Sequence, residues 1–147
     1  MEKSLAFTLE FCLTLRKPSL FDFKVIDYDT SIGYDLLVTK DYALDLNKAA
    51  MRFAEIKFEL KRDFNHSFKK LAVVICWDTK LSNDDEVTDL TGAKRIMKIT
   101  PRDKKAKNSY TKYMLVTSTE LHNIEVFVLK DFLRECLKIE FRPRSSG

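Results

Sequence analysis

Leu71-Ala72-Val73-Val74-Ile75-Cys76-Trp77 is a continuous apolar run bounded by turn signals. Such a run suits a strand buried on both faces, as in the interior of a parallel sheet. It sets the frame for the rest of the chain. Upstream, Met51 to Leu60 reads as another strand. Ala54, Ile56, Phe58 and Leu60 share one face, and Phe53, Glu55, Lys57 and Glu59 the other. Between the two, either Asp63 or Asn65 is placed to cap a short helix running through Lys70. Further back, Phe21 to Tyr28 and Tyr34 to Thr39 flank Asp29-Thr30-Ser31-Ile32-Gly33 and read as a hairpin. Lys40 to Ala50 is a connection. Leu5 to Leu15 has apolar residues at every odd position, which predicts a strand; a helix through Leu5, Leu9 and Leu13 is the alternative. Downstream, Tyr113 to Thr117 and Ile124 to Leu129 are strand candidates. Asp131 to Lys138 is a helix candidate that carries Phe132, Leu133 and Cys136. The sum is one α/β domain over residues 1–147, with a mixed central sheet and flanking helices. Its core is 21–78, a basic insertion covers 94–112, and a C-terminal strand and helix occupy 113–141.

Composition agrees with a globular domain. The 147 residues are 45% hydrophobic and hold only three Gly and three Pro, which excludes collagen-like, linker-like and disordered classes. A chain of this length buries about two-thirds of its unfolded surface and needs no staples. No stretch approaches the ~20 uninterrupted apolar residues of a membrane span. Cys12, Cys76 and Cys136 show no paired spacing, which fits a reducing, cytoplasmic setting. Cys76 reads as a small core residue. Phe21, Phe23, Phe53, Phe58, Phe64, Phe68 and Trp77 are expected in the core. Arg144-Ser145-Ser146-Gly147 reads as the remnant of a truncation, so a longer parent chain is expected.

The net charge of +4 is unevenly spread. Lys94, Arg95, Lys98, Arg102, Lys104, Lys105, Lys107 and Lys112 face a single acid, Asp103, which gives +7 over 94–112 and leaves −3 elsewhere. Just upstream, residues 78–89 sum to −4. A concentrated basic stretch is the footprint of phosphate-backbone binding; the plain alternative is a solvated loop.

Asp35 lies in Tyr34-Asp35-Leu36-Leu37-Val38, a short strand that is otherwise apolar. A carboxylate there is costly unless paired, hydrogen-bonded or bound to a cation. Glu55-Ile56-Lys57 follows on the next strand, and side chains two apart share a face. Strand pairing can bring Asp35 beside them. Two carboxylates and a backbone carbonyl make the oxygen-only site that Mg²⁺ or Mn²⁺ uses, with waters completing the shell. Such a metal activates water for phosphate hydrolysis, and the lysine can orient that water or take its proton. The competing reading is structural: Glu55, Lys57, Glu59 and Lys61 also alternate as the charged outer face of a half-exposed strand. No Gly-rich phosphate loop and no nucleophile elbow is present, so ATP binding by this segment and a Ser or Cys nucleophile are unsupported.

An Asp on a hairpin strand, Glu-x-Lys on the next strand, then a helix and a hydrophobic strand resembles the PD-(D/E)XK nuclease superfamily. Gly33-Tyr34-Asp35-Leu36-Leu37-Val38, Glu55-Ile56-Lys57, Phe64-Asn65-His66-Ser67-Phe68 and Val74-Ile75-Cys76-Trp77-Asp78 are similar to a nuclease-like domain. That domain ends large bacterial ATPases of the gyrase, heat-shock-chaperone and histidine-kinase type. The similarity covers residues 21–78, and Tyr34 stands where the motif's proline would be. It implies a restriction-endonuclease-like fold and a metal-dependent endonuclease for nucleic acid, DNA rather than RNA. Asp35 and Glu55 would be metal ligands, Lys57 the catalytic lysine, and Asn65 and His66 would flank the site. His66 reads either as a ligand or base, or as a cap. The additional acid many members carry on an N-terminal helix would be Glu10 only if 5–15 were helical. A homodimer is expected where both strands of a duplex are cut, and a larger ATPase-containing chain is the implied context. The alternative is a catalytically inactive nuclease-fold domain that docks nucleic acid or protein.

Overall fold

The run at Leu71 lies in the middle of the sheet. A computed structural model describes residues 24–28, 35–39, 51–107, 109–119 and 122–140. The strands are β1 (Lys24–Tyr28), β2 (Leu36–Thr39), β3 (Met51–Leu60), β4 (Leu71–Thr79), β5 (Glu86–Thr88), β6 (Lys94–Thr100), β7 (Lys112–Val116) and β8 (Ile124–Val128). One described helix, α1 (Leu129–Leu137), follows β8 directly. The sheet order is β1-β2-β3-β4-β8-β7-β6-β5. β4 pairs in parallel with β3 on one side and β8 on the other, and the remaining pairs are antiparallel. The molecule is therefore mixed α/β, and Leu71 to Cys76 are all buried because both faces of β4 are covered. Burial of each Val or Ile there stabilises the fold by about 1.5–3 kcal/mol. No described helix is long and apolar enough to cross a membrane.

The two faces of β4 feed two cores. Val73 and Ile75 join Ala54, Ile56 and Leu36 under Phe132 and Leu133 of α1. Val74 and Cys76 join Phe64, Phe68, Met97 and Leu115 on the other face. Of the hairpin expected over 21–39, the described residues show the antiparallel β1–β2 pair, and 21–23 and 29–34 lie outside them. The Leu5–Leu15 stretch, Phe21 and Phe23 lie outside the described residues. Phe64 and Phe68 are core residues as expected, but Phe58 is not: it is 45% exposed on β3.

The helix expected through Lys70 does not form. The segment 61–70 returns the chain from β3 to β4 as bends and turns. Its backbone is committed elsewhere: Phe64 N–H donates to the Thr88 carbonyl at 2.8 Å, and Thr88 N–H to that of Arg62 at 2.8 Å. Asp63 thereby bridges to Thr88, the last residue of edge strand β5, and the sheet curls over its second face. Asp63 and Asn65 are exposed, and the capping role falls to a distant residue, Asp89.

Asp89 is 6% exposed, and its Oδ2 accepts the Phe68 N–H at 2.7 Å. Its Oδ1 accepts from Thr91 N–H at 2.8 Å, Thr91 Oγ1–H at 2.7 Å and Ala93 N–H at 2.9 Å. Gly92 closes this turn in the left-handed region, with φ of 84°. Burial pushes the Asp89 pKa up, but the hydrogen bonds from Phe68, Thr91 and Ala93 outweigh it and hold the carboxyl below the usual range. Because the folded pKa is lowered, the stability this group confers is complete above the ordinary carboxylate range. It is lost as pH falls through the folded value. Asp89→Ala should cost about 3 kcal/mol in urea unfolding, since it strands several donors at once. A loss below about 0.5 kcal/mol would remove Asp89 from this role.

The basic stretch is not one loop. Lys94–Thr100 forms β6, because Arg95 and Met97 turn inward while Lys94 and Lys98 turn out. The acidic segment beside it neutralises the outward residues. Lys94 pairs with Glu86 at 2.8 Å, and Lys98 pairs with Asp84.

Candidate functional site

The pairing of β2 with β3 brings the two acids together. Leu36 stands opposite Ala54, so Asp35, one step earlier, stands beside Glu55. Asp35 Oδ2 accepts the Ile56 N–H at 2.7 Å, which fixes this carboxylate against β3. Glu55 and Lys57 project from the β3 face opposite Val74 and Cys76 of β4. Lys57 Nζ lies 3.1 Å from Glu55 Oε1, and His66 Nε2 lies 2.9 Å from the same oxygen. The Lys57 ammonium sits 5.8 Å from the Phe64 ring centroid. Asp35, Glu55, Lys57 and His66 therefore form one cluster, under the return segment that takes the place of the expected helix. Asn65, the residue before His66, is exposed.

Glu55 is the centre of the cluster. It is only 3% exposed, and its Oε2 is buried with no hydrogen-bond partner among the described residues. Burial is the main reason its pKa rises from 4.5 to about 7; the Asp35 charge adds to the rise and Lys57 opposes it. Near neutral pH the carboxyl is thus poised between its two states, with an unoccupied lone pair beside a second acid.

This poise has a stability consequence with a definite sign. A raised acid pKa means the folded state holds its proton while the unfolded state loses it. Glu55 therefore costs stability as pH rises from about 4.5 to about 7. Glu55→Gln, which mimics the protonated acid, should match the parent below that window. At pH 8 it should be the more stable protein by up to about 3 kcal/mol. Equal stabilities at pH 8 in chemical denaturation would contradict the burial assigned to this carboxyl.

The donor set suits a small hard cation. Mg²⁺ takes one or two carboxylates and keeps several waters. Glu55 Oε2 and the Asp35 oxygen not held by Ile56 are the two groups available for it. Among the described residues no group of three or more His, Cys, Asp or Glu is arranged to hold a metal, so water and backbone oxygen would supply the rest.

The basic residues divide differently. Arg95 is 2% exposed; its Nη1 donates to the His122 carbonyl at 2.9 Å, and its guanidinium lies 5.5 Å from the Phe68 ring centroid. It is part of the core rather than of a nucleic-acid surface. Lys94 and Lys98 are paired with acids, as above. Arg102, Lys104, Lys105 and Lys107 lie on the loop between β6 and β7, beside the C-terminal end of α1. That loop packs through Tyr110 on Phe127 and Phe132, on the α1 face of the sheet. Glu55 and Lys57 project from the opposite face, so the basic loop is not a wall of the acid–lysine cluster.

Lys138, which joins the loop cations, falls outside the basic stretch in sequence, and no spacing signal links it to them. No protein-family model, no curated protein and no solved structure matches this chain.

Proposed function

We propose that the chain is a divalent-metal-dependent hydrolase of nucleic-acid phosphodiesters, acting on DNA rather than RNA, built on a restriction-endonuclease-like core of β1–β4. The observation that carries this reading is the convergence of Asp35, Glu55 and Lys57 on one strand pair, with Glu55 Oε2 buried and unbonded. Asp35 and Glu55 would hold Mg²⁺ or Mn²⁺. Once bound, the metal would supply Lewis acidity toward the phosphate and lower the pKa of an attacking water. Ile56 N–H keeps the Asp35 carboxylate aimed at Glu55. Lys57 and His66 share Glu55 Oε1, which leaves Oε2 as its free face. Lys57, next to that face, orients the water and handles its proton. A homodimer would place two sites for the two strands of a duplex. A larger ATPase-containing chain is the context that fits a domain of this kind. Cys76 and Cys136 are free thiols among the described residues, which supports a reducing cytoplasmic setting.

A second reading is favoured by one observation. Glu55 is almost fully enclosed by the return segment, with His66 and Lys57 already on it. Such enclosure suits a nuclease-fold domain that binds nucleic acid or protein without cutting it. Incubation of the purified protein with Mn²⁺ and either DNA or RNA separates the two. Chelator-sensitive cleavage is the expected result; intact substrate throughout leaves the docking reading.

A further inference from the structure

We infer that the loop between β6 and β7 and the C-terminal end of α1 form a phosphate-binding cleft, separate from the acid–lysine cluster. This inference does not rest on the hydrolase reading. The cleft has a volume of about 340 Å³ and is lined by the cationic side chains of Arg102, Lys104, Lys105, Lys107 and Lys138. Two acids also line it, and each is engaged locally. Glu135 Oε2 accepts Thr111 N–H at 2.6 Å and Oε1 accepts Thr111 Oγ1–H at 2.7 Å. Asp103 Oδ1 accepts Lys105 N–H at 2.9 Å. Among the described residues, no ion pair joins Lys104, Lys105 or Lys107 to an acid, in contrast to Lys94 and Lys98. Four cations of the 94–112 stretch, Arg102, Lys104, Lys105 and Lys107, are thus gathered at this cleft, while Arg95 is buried in the core and Lys112 lies on β7.

The cleft is also held in shape before any ligand arrives. Arg102 Nη1 donates to the Glu135 carbonyl at 3.3 Å, Asp103 N–H to Ser109 Oγ at 2.9 Å, and Ala106 N–H to the Asp103 carbonyl at 3.2 Å. Tyr110 anchors the far end of the loop edge-on against Phe127 and Phe132. Lys138 enters from the helix side, at its left-handed C-cap. Preorganised cations of this kind match phosphoryl oxygens: lysines act as point charges, and Arg102 offers a planar fork. An acidic peptide would need apolar anchor pockets as well, whereas among the described residues of this lining only Ala106 and Cys136 are apolar. The volume lies at the small end of ligand sites, roughly 300–1,000 Å³, which suits one or two phosphoryl groups.

Two sources share that chemistry: a free oligophosphate and the backbone of a nucleic acid. The test uses the full chain at low salt with chelator present, so that hydrolysis is silent. Inorganic pyrophosphate is titrated calorimetrically, and a short labelled single-stranded oligonucleotide by fluorescence anisotropy. The triple variant Lys104→Glu/Lys105→Glu/Lys107→Glu should lose at least about tenfold in affinity, with a shallower dependence of log affinity on log salt. Lys69→Glu, an exposed change on the opposite side, should stay within about twofold of the parent. Binding of pyrophosphate alone identifies a free oligophosphate as the ligand. Binding of the oligonucleotide, displaced by pyrophosphate, identifies the backbone. The inference is overturned if neither probe binds, if the triple variant binds as tightly as the parent, or if Lys69→Glu loses as much as the triple variant.

Discussion

Lys57→Ala is expected to lower the initial rate of Mn²⁺-dependent DNA cleavage by at least about a hundredfold. Two separable effects act in the same direction. The first is chemical: in the proposed reaction the Lys57 ammonium, 3.1 Å from Glu55 Oε1, orients a water and exchanges a proton with it. The second is electrostatic. Lys57 opposes the rise of the Glu55 pKa, which stands at about 7 with the lysine present. Without it the carboxyl climbs further and holds its proton at neutral pH, and a protonated carboxyl is a poor metal ligand. Lys57→Arg tells the two apart. The guanidinium keeps a positive charge beside Glu55 but cannot give up its proton. Lys57→Arg should therefore retain Mn²⁺-dependent thermal stabilisation at neutral pH and still cleave slowly. Lys57→Ala should lose both, and should regain the thermal shift as pH is raised. Cleavage by Lys57→Ala at the parental rate would remove the catalytic reading and leave the docking module.

Among the described residues up to β4, the strands are legible in the sequence, and the reason is physical. Period two in Met51–Leu60 and the apolar run at Leu71 are local signals of sheet environment, and both strands form where those signals lie. The shared face of Glu55 and Lys57 follows from the pleat alone. Its partner on the next strand follows from register, which Asp35 inherits from Leu36 and Ala54. What local pattern cannot carry is competition from afar. Residues 61–70 have the composition of a short capped helix, yet their donors go to Thr88 and Asp89, more than twenty residues along the chain. Strand β6 is concealed for a related reason. Arg95 occupies an inward position that the alternation rule reserves for an apolar residue, because two backbone carbonyls and the Phe68 ring receive its guanidinium. Charge counting is limited in the same way: it finds the +7 stretch but not which of its residues are paired, buried or left over. The identity of the sheet face is invisible to it as well, so the basic loop could not be placed relative to Glu55 before the fold was known.

Phe132→Ala should be among the most destabilising single changes in the molecule, at about 3–5 kcal/mol. Phe132 is 1% exposed in the core between α1 and the sheet. Its ring centroid is 5.0 Å from that of Phe127 and 5.3 Å from that of Tyr110, the latter edge-on. Aromatic pairs of this geometry add about 0.5–1.5 kcal/mol beyond the area they bury. Alpha1 is the one described helix on this face, and truncating Phe132, one of the largest fully buried side chains, leaves a cavity at the contact between helix and sheet. Against a total stability of roughly 5–15 kcal/mol, the loss takes a large share of the fold. Phe58→Ala is the matched control: the same residue type is deleted, but from a position 45% exposed, and the change should stay within about 0.5 kcal/mol. Urea midpoints measured at constant slope read both values directly. A Phe132→Ala cost no larger than that of Phe58→Ala would mean that α1 does not lie over the sheet in solution. Phe132→Leu should recover part of the loss by refilling volume, but not the contacts to Phe127 and Tyr110. Since Tyr110 also anchors the 101–111 loop, Phe132→Ala should weaken pyrophosphate binding at the cleft even where the protein remains folded, while Phe58→Ala leaves it intact.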